Sequence, residues 1–212
     1  MSKTDETIGS ILATATPVKT AQPMRLLLGW LAVTVVGTFL MVLFMAPRDD
    51  LALQLASPLF LAETILLIAL IVTSAFVAVC LCFPDMCQRH WMLYAPLLPL
   101  AAYSALLGYQ LVHPEMVALP AVKMGGVDCA LCISMFAVIP GFWMFHILHR
   151  HATTHPILAG AVSLLTASSI GHLVLKFVEK NDAISHLALW HFLPILLLAA
   201  VGAFLGRKFL SW

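Results

Sequence analysis

Apolar residues gather into six runs along the chain, roughly 25–46, 59–83, 92–112, 129–148, 157–178 and 186–206. Each has about the twenty residues that a helix needs to cross a hydrocarbon core of ~30 Å. Between them lie short stretches that hold breakers and charges: Pro47 to Asp50, Pro84 to His90, His113 to Asp128, His149 to Pro156 and Glu179 to Ser185. Short connections imply neighbouring antiparallel helices. The pattern predicts an all-α integral membrane protein, with a bundle of six transmembrane helices over 25–212 and a cytoplasmic N-terminal segment over 1–24. Pro96, Pro99, Pro140 and Pro194 fall inside the runs and read as kinks, since neighbouring groups in a bundle re-satisfy the carbonyls that a proline frees.

The N-terminal segment has a different pattern. Ser2-Lys3-Thr4-Asp5 fits a capping box, and Ile8, Ile11, Leu12 and Ala15 follow at helical spacing before Pro17, which predicts a short amphipathic helix. Such a helix either lies on the lipid surface or fits a groove in a cytoplasmic protein. Its polar face carries Asp5 and Glu6, where an anionic membrane would prefer Lys and Arg. That favours Ile8, Ile11 and Leu12 as partner-binding residues.

Composition agrees with the runs: 62% of residues are apolar and 10% are charged, against about 25% charged in soluble domains. The first twenty-two residues are polar and of mixed charge, so the first run reads as a retained anchor. No Lys/Arg run tracks a phosphate backbone, which argues against direct nucleic-acid binding. No phosphate-binding Gly-rich loop, nucleophile elbow or zinc-protease motif is present, so nothing points to an enzyme. With the N-terminus inside, Lys3, Lys19, Arg25, Arg89, Arg150, Arg207 and Lys208 share one side, against Arg48, Lys123, Lys176 and Lys180 on the other. That bias places both termini in the cytoplasm.

Five cysteines cannot all pair within the chain. Cys129 and Cys132 stand at the outward start of the fourth run, where the positive end of a helix dipole favours a thiolate. They read either as a pair that oxidises or binds a soft metal ion transiently, or as small apolar residues at a helix end. A closed metal set would need Asp128, His113 or Glu179 as well. Cys80, Cys82, Cys87 and His90 at the other face form a weaker candidate set. His146, His149, Arg150, His151 and His155 read mainly as groups that cap terminal carbonyls. Glu63 and His172 lie at membrane depth, where an ionisable group either serves a function or bonds a neighbouring helix. One function class open at this point is a small membrane metal-ion or redox carrier using Cys129 and Cys132.

Several sequence features are ordered as in a known family. Phe60-Leu61-x-Glu63, Gly126-x-x-Cys129-x-x-x-Ile133, Pro140, Leu148-x-Arg150-x-Ala152, Pro156-x-x-Ala159-Gly160-Ala161, Trp190-His191-x-x-Pro194 and Gly202-x-x-x-Gly206-Arg207-x-x-Leu210-x-Trp212 resemble the NrsF-type family of six-span bacterial anti-sigma factors. The resemblance implies an inner-membrane protein that holds an extracytoplasmic-function sigma factor through Met1 to Pro23, with no catalysis and no resident cofactor. It also implies that Cys129 is one of two extracytoplasmic cysteines that sense stress, metal or oxidant. The chain departs from the family at the second: the loop before Trp190 reads Glu179-Lys180-Asn181-Asp182, where the family often has Cys followed by Pro. Cys132 is an extra thiol one turn from Cys129.

Overall fold

Pro23, Pro58 and Pro156 each stand at the start of a long helix, where a missing N–H leaves no bond unmade and the fixed φ suits the helix. The structure, a computed structural model, describes residues 3–14, 22–83, 90–113, 126–151 and 153–211. Its helices are α1 (Lys3–Thr14), α2 (Pro23–Met45), α3 (Leu51–Leu55), α4 (Pro58–Cys80), α5 (Leu97–Val112), α6 (Val127–Arg150), α7 (Pro156–Val178) and α8 (Ile184–Phe209). A 3₁₀ turn, His90–Tyr94, leads into α5. Six of these helices are long and apolar enough to cross a membrane, in agreement with the six predicted runs. The short α3, inside the first connection, was not predicted. No strand occurs among the described residues.

The bundle is built around α7, whose small residues let its neighbours come close. A Cβ added at Gly160 would overlap the backbone of Gly202 and Gly206 in α8, and one at Gly171 would overlap the backbone of Ile133 in α6. Close backbone approach at small residues is how helices associate in lipid, where apolar side chains gain little by leaving the hydrocarbon. Inside α7 the hydroxyl side chains are satisfied locally. The hydroxyls of Ser163, Thr166 and Ser169 donate to the carbonyls of Ala159, Val162 and Leu165, one turn back, at 2.6, 2.6 and 2.7 Å, so they need no partner across a helix interface.

The periphery is packed differently. Only Leu27 and Trp30 of α2 are buried, and the Trp30 indole N–H donates to the Pro140 carbonyl of α6 at 3.2 Å. Apolar grooves of about 140 and 400 Å³ flank α2, against α6 and α4 respectively. α2 ends at Ala46, whose φ of 63° is rare for a residue with a Cβ. The chain then turns towards the end of α7, where the Arg48 N–H donates to the Phe177 carbonyl at 3.0 Å.

Candidate functional site

The polar side chains at depth collect at the end of the bundle where α2 stops, α6 and α8 start and α7 stops. Glu63 of α4 and Lys176 of α7 form an ion pair in which both side chains are almost wholly buried. The second Glu63 oxygen accepts from Gln110 of α5 at 2.7 Å. The Lys176 ammonium also sits 4.1 Å from the centre of the Phe60 ring, close enough for cation–π attraction. Every charge in this set has a partner, which is the condition for keeping ions in low dielectric.

Arg48, 3% exposed, lies at the rim. Its guanidinium grips two carboxylates at once: Nε and Nη2 donate to Asp50 at 2.6 and 2.9 Å, and Nη1 and Nη2 donate to Asp182 at 2.9 and 2.6 Å. The two-pronged geometry suits arginine rather than lysine. These bonds tie the α2–α3 connection to the α7–α8 connection. The Asp182 and Asp50 carboxylates hold Arg48 protonated more firmly than usual, and the Arg48 guanidinium holds the Asp50 carboxyl well below the usual carboxylate range. Nearby, Lys180 donates to Asp49 at 2.5 Å.

The third group is a row of side chains that runs from α6 through α8 and α7 to α5. Cys129 Sγ of α6 lies 3.6 Å from His186 Nε2 and 4.0 Å from Glu179 Oε2. The rings of His186 and His191 are 5.0 Å apart, and those of His191 and His172 are 5.1 Å apart. The Tyr103 hydroxyl of α5 lies 2.9 Å from His172 Nε2. His186 and His191 come together through a local distortion: Leu187–Phe192 is a π-helical turn. A regular α-helix would turn residues five apart to about 140° from each other, whereas a π turn brings them onto one side. His172 and His191 are 0% and 1% exposed. Neither nitrogen of His191, nor Nδ1 of His172, has a hydrogen-bond partner among the described residues.

The sequence-predicted residues divide among these settings. Cys129 is buried, covered by Glu179 and His186. Cys132, one turn on, is half-buried against the apolar cluster of Cys129, Ile133 and Leu175, and neither thiol is in a disulfide. Of the further ligands expected for the thiols, Glu179 does approach Cys129. His113 bonds its own helix instead, its Nδ1 lying 3.1 Å from the Tyr109 carbonyl. The nearby imidazoles are His186 and His191, which spacing alone hid. Lys176, counted with the loop charges, is instead the partner of Glu63. The cap reading fits the far-end histidines: His151 Nδ1 meets the Ile147 carbonyl at 2.7 Å and His149 Nδ1 meets the Phe209 carbonyl at 3.2 Å. Cys80 and Cys82, also at that end, are each 2% exposed. Ile8, Ile11 and Leu12 are 51%, 62% and 68% exposed along α1. Ser2, Ala15, Pro17, Cys87 and the His90 side chain lie outside the described residues.

With this geometry in place, the comparisons can be set beside it. A family model described as negative regulator of sigma F matches residues 12–212. A probable anti-sigma-F factor NrsF of Azospira oryzae is 28% identical over 215 residues, covering 99% of this chain and 100% of that protein. No solved structure matches. The family match takes in all six long helices and the whole Cys–His row, and starts at Leu12, the last of the three exposed apolar residues on α1.

Proposed function

The chain belongs to the family of negative regulators of sigma F, and on that premise we propose that it is a membrane-bound anti-sigma factor. It sequesters an extracytoplasmic-function sigma factor at the bacterial inner membrane and releases it on an extracytoplasmic stress. The observation that carries this reading is the family match over 12–212. Both termini are cytoplasmic, which puts Cys129, Glu179 and the Arg48 clamp outside and α1 inside with the partner.

The sigma factor takes up the exposed apolar face of α1 in a groove, as amphipathic helices commonly do. Each of Ile8, Ile11 and Leu12 contributes about 1.5–3 kcal/mol when buried. Cys129 is the chief sensing thiol and Cys132 its local partner. A change at Cys129 must bias two states of the bundle by a few kcal/mol to alter retention of the partner appreciably.

Co-purification tests the binding half: full-length protein in mild detergent retains the sigma factor, and the Ile11→Asp/Leu12→Asp variant loses it. Unchanged retention in that variant would move the contact away from α1. A reporter fused after Trp212 tests the topology, and an extracytoplasmic signal there would overturn it.

A further inference from the structure

We propose that Cys129, His186 and His191 form a binding site for a single thiophilic divalent cation of the zinc or cadmium class. The proposal names a ligand for the Cys129 site and rests on the sensing reading for its regulatory consequence alone. The ligands themselves follow from geometry.

One ligand atom from each residue lies within 4.8 Å of the other two. Tetrahedral zinc bonded to sulfur at ~2.3 Å and nitrogen at ~2.0–2.1 Å sets its ligand atoms roughly 3.3–3.8 Å apart. The 3.6 Å between Cys129 Sγ and His186 Nε2 already satisfies this. The remaining contraction is about 1 Å, within reach of side-chain rotation. A second, independent observation points the same way: His191 is 1% exposed and neither of its ring nitrogens is bonded among the described residues. Buried polar groups are rarely left so, and a cation would take up one nitrogen. The His172 ring, next in the row, lies edge-to-face 5.1 Å from the His191 ring and backs the imidazole on the side away from Cys129 and His186. The π turn that aligns His186 with His191 is a distortion found often at functional sites.

One sulfur and two nitrogens select zinc-like cations over magnesium or calcium, which prefer oxygen. On binding, the Cys129 S–H bond gives way to a metal–sulfur bond, the proton passes to the Glu179 carboxylate or to water, and no electrons change hands. Glu179 or water completes the fourth position. Cys132 takes no part, so the site spans α6 and α8 and closure draws those helices together.

The test uses full-length protein in detergent without the sigma factor, titrated with Co²⁺ and Cd²⁺. The expected result is one cation per chain with a sulfur-to-metal charge-transfer band. Cys129→Ser removes the band, His186→Gln and His191→Gln each weaken binding roughly tenfold or more, and Cys132→Ser binds as the unsubstituted chain does. The proposal is overturned by failure of the unsubstituted chain to bind. It is overturned equally by loss of the band in Cys132→Ser, which would put the metal on the thiol pair, or by undiminished binding in both histidine variants. Should a variant not fold, the unsubstituted protein still decides: Zn²⁺ protects Cys129 from maleimide while Cys132 remains labelled, and equal labelling of Cys129 with and without Zn²⁺ sinks the site. Binding that leaves sigma-factor retention unchanged rejects the sensing reading and keeps the site. Retention that responds to metal in a chain that binds none does the reverse.

Discussion

Two buried polar groups lie side by side in this bundle and are built on opposite terms. The Glu63, Lys176 and Gln110 set is ionic and has partners for its charges. The Cys129, His186, His191 and His172 row is under-bonded, with three ring nitrogens unpartnered among the described residues. Both occupy low dielectric, where a polar group needs a partner. The first has its partners in place and fastens α4 to α7. The second is bonded at its two ends, Tyr103 to His172 and Cys129 to His186, and keeps bonding capacity in reserve at its middle, which leaves room for a ligand.

Breaking the ionic set should have the largest effect. Lys176→Met leaves the Glu63 carboxylate buried without its counter-charge and is expected to destabilise the bundle by about 3–5 kcal/mol, read as thermal unfolding in detergent. The double variant Glu63→Leu/Lys176→Met should recover most of that loss, because it removes both charges. A double variant as unstable as the single one would show that the pair is held by more than charge compensation.

The histidine row should respond the other way. His191→Phe keeps an aromatic ring and discards two unbonded nitrogens, so stability without cation is expected to hold or rise by about 1 kcal/mol, while cation binding is lost. A fall of more than about 2 kcal/mol would mean that the imidazole is bonded in the folded protein. That outcome would erase the contrast between the two groups.

The smallest effect is expected at the Arg48 clamp, which is ionic like the first group but faces the rim. Its Asp50 carboxyl titrates below the ordinary value in the folded protein, the ordinary carboxylate pKa being about 3.9. A depressed carboxyl stabilises the fold above its unfolded pKa and loses that contribution only as pH falls through the folded value. The difference in unfolding temperature between the natural chain and Arg48→Gln should therefore be the same at pH 7 and pH 5. A difference that closes by pH 5 would contradict the assignment of Asp50 to Arg48.

The six spans were legible in the sequence because a hydrocarbon core demands about twenty apolar residues whatever their neighbours. Which span lies at the centre was not, since α7 and the peripheral α2 are both apolar; close glycine contacts mark α7, while Gly29 and Gly37 of α2 face open space. Glu63 stood out in the sequence as a buried acid, but its partner did not. Lys176 lies near a predicted helix end, where a lysine ordinarily reaches into water. His186 and His191 escaped notice for a geometric reason: residues five apart share a side only where the helix widens, and hydrophobic periodicity carries no mark of a π turn. Cys129 was picked out by its residue type, and the chemistry around it came from chain segments 50 or more residues away.

The contact of Gly160 with Gly202 and Gly206 has a mechanical side. Where the two backbones meet at these glycines few side chains intervene, Leu164 against Gly202 among them, so that crossing opposes separation of α7 and α8 more than axial sliding or slight rotation. α8 runs for 26 residues, the π turn included. The glycine crossing lies in its second half, well past His186 and His191. A displacement of α8 at the histidines is therefore expected to meet less resistance at that crossing along the helix axis, towards Arg207 and Lys208, than away from α7.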